Sequence, residues 1–489
     1  MLIFLPTRCR AKKTKAGLST FVDPFVGTTG TGNTFPGATL PHGMVQLSPI
    51  IHPEGGFDDN DTDNKSWSFN SGYHRGPGRK TSALVGFAHT ALSGTGLHDG
   101  GDFALLPCSE VCGLDERTTG HMILVHADEK ASPGYYHARI EDRISTVIDV
   151  ELAATLRAGL IRIAFTGGPR RRLRIRLETY LDKVRDPSFV LQDKSPYGSS
   201  MLVGTRSSSK VHKCAADHTT YWHATFEPPF TKFKRVGETY EWELEWPRET
   251  KIVVARVALS HVDENGARQN ANVELSKRPF NFPAVKEAAA AAWDAALERV
   301  RVLGRPSDVR RFYTALYHVH LGPTLLSDVD GQFRIGEDDV FLRLRPARQQ
   351  ANHTQYSTFS LWDTYRAHQP LLNLIEPELA EDFARSLLAA EGSSKKRPGA
   401  LPLWLLFGQD VACMSGFPAA VILADMALKR LISPKLAETI LARLKAVADH
   451  EPFVSQQQYI PAGEEYSVSR GLEFAIADSC ISRVAEFVG

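Results

Sequence analysis

Apolar and polar side chains alternate with a period of two in much of residues 120–260, a pattern typical of β-strands with one buried face. Two segments show it most clearly: Leu173, Ile175 and Leu177 between Arg172, Arg174 and Arg176, and Tyr240, Trp242, Leu244 and Trp246 between Glu241, Glu243 and Glu245. Turn sequences separate such segments at residues 167–169 (GGP), 228–229 (PP) and 264–266 (ENG), which favours antiparallel pairing. The first half of the chain is therefore predicted to be an antiparallel β-sandwich of half-buried strands.

After Pro283 the hydrophobic period changes to that of an α-helix. Apolar residues recur on one helical face from Val285 to Val300, and the alanine run at 288–292 has high helix propensity. Two more helices are predicted to begin at Pro377 and at Pro434, because proline is favoured at the first helical position. The second half is predicted to be all-α.

Composition and charge narrow the range of partners. Lys and Arg number 57 against 56 Asp and Glu, which argues against a nucleic-acid partner held by phosphate neutralisation. No run approaches the roughly 18 apolar residues that a membrane span needs, so we expect no membrane partner. The six cysteines include no CxxC zinc pair. Cys108 and Cys112 could close one small loop, but we interpret the cysteines as isolated thiols.

Residues 23–49 (DPFVGTTGTGNTFPGATLPHGMVQLSP) are rich in glycine and proline, which favours a rigid, irregular loop able to line a pocket. Seven further blocks follow in order: 71–74 (SGYH), 85–96 (VGFAHTALSGTG), 100–107 (GGDFALLP), 312–334 (FYTALYHVHLGPTLLSDVDGQFR), 357–372 (STFSLWDTYRAHQPLL), 401–426 (LPLWLLFGQDVACMSGFPAAVILADM) and 459–482 (YIPAGEEYSVSRGLEFAIADSCIS). Together the eight blocks resemble the signatures of glycoside hydrolase family 92, the calcium-dependent α-mannosidases.

The resemblance implies two domains and a substrate class. It implies a disordered N-terminus at 1–20, a β-sandwich domain at 21–275 and an incomplete (α/α)6 helical barrel at 276–489. It further implies exo-acting, inverting hydrolysis of α-mannosides with Ca2+, on N-glycan-type and α-1,2-linked substrates. Family members are often secreted, although the N-terminus shows no recognisable signal peptide.

Residues 360–366 (SLWDTYR) carry the best candidates for a sugar subsite. Trp362 offers an indole face for stacking, Asp363 an acceptor for hydroxyl donors, and Arg366 lies about one helical turn after Asp363. The structural alternative is that Trp362 belongs to the core and Asp363 caps a helix; the resemblance favours the subsite. The other substrate-binding candidates are Trp67, His89, Gly32 and Asn33, with His74 and Trp404 less favoured.

The resemblance also raises doubt about catalysis by this chain. Inverting hydrolysis needs a general acid and a general base, and the family layout places both, with the calcium ligands, after the block at 459–482. We therefore expect no catalytic residue and no metal ligand before Gly489 and interpret the chain as truncated. The alternatives are a non-catalytic sugar-binding pseudoenzyme and, less favoured, a glycoside phosphorylase of similar architecture.

Overall fold

The structure is a computed structural model that describes residues 17–52, 69–76, 78–110, 112, 122–142, 146–181, 183–192, 200–209, 213–275, 282–336, 348–397, 399–450 and 459–488. It confirms the predicted order of an antiparallel sheet domain followed by a helical domain. The prediction for residues 1–20 falls almost wholly outside the described residues. The predicted domain boundaries stay predictions.

The sheet domain contains strands β1 (Ala38–Thr39), β2 (Gln46–Ile51), β3 (Thr81–Ala88), β4 (Ala104–Cys108), β5 (Met122–Val125), β6 (Lys130–Ser132), β7 (Tyr135–Asp142), β8 (Val147–Ala154), β9 (Ala158–Phe165), β10 (Arg171–Arg176), β11 (Lys183–Gln192), β12 (Ser200–Ser209), β13 (Thr219–Glu227), β14 (Lys232–Arg235), β15 (Glu241–Trp246) and β16 (Ile252–Ser260). They pair in the order β11-β12-β13-β16-β9-β8-β7-β5-β3-β4-β10-β15-β14, with β1 and β2 joined through β3 and β6 through β7.

Strand β3 links the two layers of this curled sheet. Its first residues pair with β5, whereas Phe87 near its end pairs with Leu105 of β4. The apolar core lies between the layers and contains Leu173 from one side and Ile161 and Val257 from the other. Alternating apolar residues therefore pack face to face, as in a sandwich.

The polar face of β10 is buried, whereas the sequence predicted a half-buried strand. Arg172, Arg174 and Arg176 are all under 10% exposed, because β15 pairs beside them and presents Glu241 and Glu243. Arg174 and Arg172 donate to one Glu243 oxygen at 3.0 and 3.1 Å, and Arg176 donates to Glu241 at 2.9 Å. The alternating charges are a cross-strand ion-pair ladder, not a solvated face.

The helices in the described residues are α1 (Glu264–Leu275), α2 (Phe282–Leu297), α3 (Pro306–Val319), α4 (Leu361–Thr364), α5 (His368–Ile375), α6 (Ala380–Ala389), α7 (Pro418–Leu428), α8 (Pro434–His450) and α9 (Ser467–Val488). In the described part of the chain, 3-10 helices lie at Leu18–Phe21, His126–Asp128 and Pro377–Leu379. Short strands pair within the helical half: β17 (Thr324–Leu325) with β20 (Tyr356–Ser357), β18 (Gln332–Arg334) with β19 (Arg348–Gln350), and β21 (Leu405–Leu406) with β22 (Gln409–Asp410).

The predicted helix after Pro283 is α2, and the predicted starts at Pro377 and Pro434 are also confirmed. The turn predicted at residues 264–266 is wrong, because α1 begins there. Asp263 explains the difference: its carboxylate accepts the Gly266 amide at 2.8 Å and caps the helix. Gly266 is needed for close approach, since an added Cβ would lie 2.0 Å from a carboxylate oxygen of Asp328.

Two disulfides correct the interpretation of the cysteines as isolated thiols. Cys108 bonds to Cys112 within the sheet domain, and Cys214 bonds to Cys413. The second bond joins the segment before β13 to the segment after β22, although the two cysteines are 199 positions apart in sequence. Sequence spacing gave no signal for a pair formed by tertiary packing.

None of the described helices combines the length and the apolar character that crossing a bilayer requires.

Candidate functional site

A cleft of ≈ 270 Å³ opens where the sheet domain meets the helical domain. One wall is the loop after β3, and the other is formed by the end of α3 with the segments around α4 and α5. Its lining residues are Ala91, Ser93, Gly94, Thr95, His318, Leu321, Gly322, Pro323, Thr324, Thr358, Phe359, Ser360, Asp363, Thr364, His368 and Gln369. A concave junction with mixed polar and apolar walls is where small ligands usually bind.

The backbone at the cleft is held in an unusual conformation at Thr358. This residue has a φ of 57°, which a β-branched side chain rarely adopts. Thr324 and Thr358 share a 2.6 Å hydrogen bond between their hydroxyls, and β17 pairs with β20 beside them. Such strain persists where surrounding structure over-determines it, which is common at binding sites.

Asp363 supplies a carboxylate to the cleft. It lies in α4, where its amide donates to the Ser360 carbonyl at 3.1 Å. The residue as a whole is exposed, yet desolvation of the carboxyl raises its pKa above the ordinary value, while the nearby Arg366 lowers it in part. A carboxylate in this position can accept hydroxyl donors from a ligand, and the predicted substrate-binding role of Asp363 stays a prediction.

Trp362 and Arg366 do not line the cleft. Trp362 lines a separate small cavity with Tyr365, Phe417 and Glu473, and it does not line the cleft that contains Asp363. The Arg366 guanidinium lies over the Trp362 and Tyr365 rings, 5.1 and 4.6 Å from their centroids. The structure therefore brings the three predicted residues together around one helix but places only Asp363 in the cleft.

The glycine-rich loop of residues 23–49 contacts one wall of the cleft but contributes no lining residue itself. The Asn33 carbonyl accepts the amide of Gly94, a lining residue, at 2.8 Å. Asn33 is buried, and its side-chain nitrogen donates to the Thr31 carbonyl at 3.3 Å. Gly32 is exposed, and a Cβ there would lie 2.3 Å from the Gly27 carbonyl oxygen. The loop thus fixes the position of the wall.

The remaining candidates lie away from the cleft or outside the described residues. His89 is fully buried in the sheet domain, where Nδ1 lies 2.8 Å from the Phe103 carbonyl oxygen. Burial lowers the pKa of His89 to about 4, so its ring is neutral at pH 7. His74 is half-buried beside the Phe69 ring, Trp404 is core, and Trp67 falls outside the described residues.

Three polar lining residues were missed by the sequence analysis. Gln369 is 1% exposed, and neither of its amide atoms has a partner among the described residues. Nε2 of His318 and Nδ1 of His368 also lack a hydrogen-bond partner among the described residues. Burial lowers the pKa of His318 to about 4 and also lowers that of His368. The available signal was the pair His368-Gln369, which places polar residues at the start of an apolar helix.

The buried carboxylate of Glu376 links the two domains next to the cleft. Glu376 accepts from His42 of the sheet domain at 2.9 Å and lies 3.4 Å from His320. The other His42 ring nitrogen lies 2.8 Å from the carbonyl oxygen of Pro323, a lining residue. Burial alone would raise the pKa of Glu376, but the two imidazoles hold it well below the ordinary range. This network holds the lining segment at Pro323 in place.

The described residues offer no metal centre. No group of three or more His, Cys, Asp or Glu side chains within them could hold a metal ion. The residues at the cleft therefore do not fit a calcium ion, whose coordination needs six to eight oxygen ligands.

Comparison with known proteins identifies relatives of both domains. The glycosyl hydrolase family 92 N-terminal domain model matches residues 21–274, and the family 92 catalytic domain model matches residues 266–489. A family GH92 α-mannosidase from Bacteroides thetaiotaomicron, solved in complex with mannoimidazole, is 27% identical with a TM-score of 0.81. A family GH92 inverting mannosidase from the same organism is 20% identical with a TM-score of 0.76, which shows the fold alone.

These relatives are longer than the chain. The two solved structures are matched over 96% and 98% of this chain but over 61% and 63% of their own length. An uncharacterized secreted glycosidase from Arthroderma benhamiae is 26% identical over 404 residues, which cover 75% of this chain and 47% of that protein. The chain thus spans about half to three fifths of the length of the relatives it matches.

Proposed function

The chain belongs to glycosyl hydrolase family 92, and we propose that the protein acts on α-mannosides, releasing terminal mannose by inverting hydrolysis. Both family domains, the GH92 α-mannosidase likeness and the junction cleft support the proposal. The observation that carries it is the position of Asp363. This residue comes from the family block at 357–372, and it presents a carboxylate where the two domains meet.

The described residues account for binding better than for bond cleavage. Asp363 can accept sugar hydroxyls, and the walls around Leu321, Pro323 and Phe359 can pack against the apolar face of a pyranose ring. Inverting hydrolysis needs two carboxyl groups roughly 6.5–9.5 Å apart. Asp363 is the one carboxylate among the described lining residues. The expectation that the acid and the base follow Gly489 stays a prediction, and no catalytic step is assigned here.

Calcium dependence and linkage are the finer parts of the proposal. The family resemblance favours Ca2+ and α-1,2-linked, N-glycan-type substrates, whereas the described residues contain no set of side chains suited to the ion. No step is therefore derived through the metal. Its requirement is testable by comparing the protein with and without a chelator.

A second candidate function is non-catalytic binding of sugars. The observation that favours it is that the described lining residues include one carboxylate, which suffices for hydroxyl recognition but not for inverting hydrolysis. Both functions use the same cleft and the same class of ligand. They differ in whether the glycosidic bond is broken.

The test is incubation with α-1,2-mannobiose, in calcium and in EGTA, followed by proton NMR. Calcium-dependent release of mannose, appearing first as the β-anomer, supports the hydrolase. Line broadening of the disaccharide without release supports the binding protein. Asp363→Asn should weaken either response by about tenfold, while Asp308→Asn, at a partly exposed site on α3 outside the cleft lining, should leave it unchanged. A protein that neither binds nor cleaves the disaccharide contradicts both functions.

A further inference from the structure

The Gln369 amide is a buried polar group without a partner. The side chain is at the cleft, the residue is 1% exposed, and neither Oε1 nor Nε2 is hydrogen-bonded to another described residue. Leaving a buried donor and acceptor unpaired is costly, and the large majority of buried side-chain polar atoms in native proteins are paired. A ligand in the cleft would provide both partners.

Two imidazoles extend this set of unpaired atoms. His368 precedes Gln369 on α5, and its Nε2 lies 2.7 Å from the Val319 carbonyl oxygen, which leaves Nδ1 without a partner among the described residues. Nε2 of His318 is likewise buried and unpaired there. Neutral imidazole and amide groups can both donate and accept, which suits hydroxyls.

The lining contains no cation that could hold an anionic ligand. Among the described lining residues there is no Lys or Arg, and the one carboxylate is Asp363. Because burial lowers the pKa of both His318 and His368, the imidazoles are neutral at pH 7. A phosphate or carboxylate on the ligand would lose water here and face Asp363, which is unfavourable.

We propose that Gln369 binds two adjacent hydroxyls of an uncharged sugar and that the cleft rejects sugars carrying phosphate or another anionic group. The inference rests on the proposed function and names the substrate class of the same cleft. An amide presents one acceptor beside one donor, the complement of a vicinal diol in which one hydroxyl donates and the other accepts. His318 and His368 lie along the same wall and serve further hydroxyls.

Gln369→Leu separates this role from a structural one. The substitution removes two atoms that have no partner within the described chain, so the midpoint of thermal unfolding should stay the same or rise. Affinity for methyl α-mannoside, measured by titration calorimetry with the full chain, should fall roughly tenfold or more. Mannose 6-phosphate should bind wild-type protein at least about tenfold more weakly than methyl α-mannoside.

Asn373→Leu is the matched control, because Asn373 lies one turn later on α5 and donates to Asp425 at 2.8 Å. This variant should unfold at a lower temperature and keep its affinity for methyl α-mannoside. Wild-type affinity retained in Gln369→Leu would overturn the inference while leaving the proposed function intact. Equal binding of mannose 6-phosphate would overturn the uncharged substrate class. A wild-type protein that binds no mannoside would overturn the proposed function and this inference together.

Discussion

The indole nitrogen of Trp362 donates a 2.8 Å hydrogen bond to the carboxylate of Glu473, joining α4 to a position 111 residues later in α9. The same carboxylate accepts from the Ser415 hydroxyl at 2.7 Å and lies 3.7 Å from the Arg366 guanidinium. Gly416 makes room for it, since an added Cβ would lie 2.4 Å from a Glu473 oxygen. One carboxylate thus holds together the segment that presents Asp363 to the cleft.

Glu473→Gln should destabilise the protein. Glutamine retains one acceptor but loses the charge that strengthens the bonds from Trp362 and Ser415, so we expect the free energy of unfolding to fall by roughly 1–2 kcal/mol. Denaturant unfolding measures this change. Glu465→Gln, at an exposed position before α9, should change it by less than about 0.5 kcal/mol. Equal losses in the two variants would show that Glu473 does not hold α4.

The Cys214–Cys413 disulfide should stabilise the contact between the two domains. Replacing both residues by serine is expected to lower the free energy of unfolding by about 2–4 kcal/mol, because the bond closes a long loop in the unfolded chain. Cys480→Ser should have a small effect, since Cys480 is a free thiol. Peptide mapping without reductant checks the premise directly: recovery of Cys214 and Cys413 as separate free thiols would refute it.

Glu376 should contribute stability that is lost in acid. Its folded-state pKa is held below the ordinary value, so its contribution is present above the unfolded pKa of about 4.3 and disappears as the pH falls. At pH 7, Glu376→Gln should cost roughly 2–4 kcal/mol, because glutamine keeps one acceptor but removes the negative charge that faces His42 and His320. The cost should shrink below pH 4.

The control for this prediction is Glu378→Gln. Glu378 lies two residues after Glu376 and forms an exposed ion pair with Arg299. We expect a loss below about 1 kcal/mol at pH 7, because an exposed ion pair contributes little to stability. A Glu376→Gln variant whose loss is equally small, or stays constant as the pH falls from about 5 to about 2, would mean that the buried network does not join the domains.

The sequence predicted features set by local pattern and by ordered motifs. Period-two alternation gave the strands around Leu173 and Trp242, the alanine-rich run gave α2, and the eight blocks gave the family. These succeed because periodicity reports which face of an element is buried. Alternation did not reveal that the Arg172 face of β10 is also buried, because the paired residues of its partner strand lie 65 to 75 positions later in the chain.

The candidate site was less predictable, because a cleft is defined by which side of an element faces it. Trp362 and Asp363 are adjacent in sequence, yet they line different cavities. The one sequence signal for Gln369 was its position beside His368 at the start of an apolar helix. Its lack of a hydrogen-bond partner among the described residues depends on packing between α5, α3 and the loop after β3. The pairing of Cys214 with Cys413 likewise arises from tertiary contact.

Ionisation of Asp328 should lower the free energy of unfolding as the pH rises toward neutrality. Burial raises its pKa to about 6, even though Ser260 and Asn270 donate to it at 2.6 and 2.7 Å. Between the unfolded pKa of about 3.9 and the folded value, the folded state binds more protons, so this contribution is full at low pH and is lost through about pH 6. The slope can reach roughly 1.4 kcal/mol per pH unit.

The variant Asp328→Asn tests this prediction, because asparagine cannot ionise. The difference between the wild-type and variant free energies of unfolding, measured from pH 4 to pH 8, should decline up to about pH 6 and then stay constant. A flat difference for Asp328→Asn would place its folded pKa near the ordinary value.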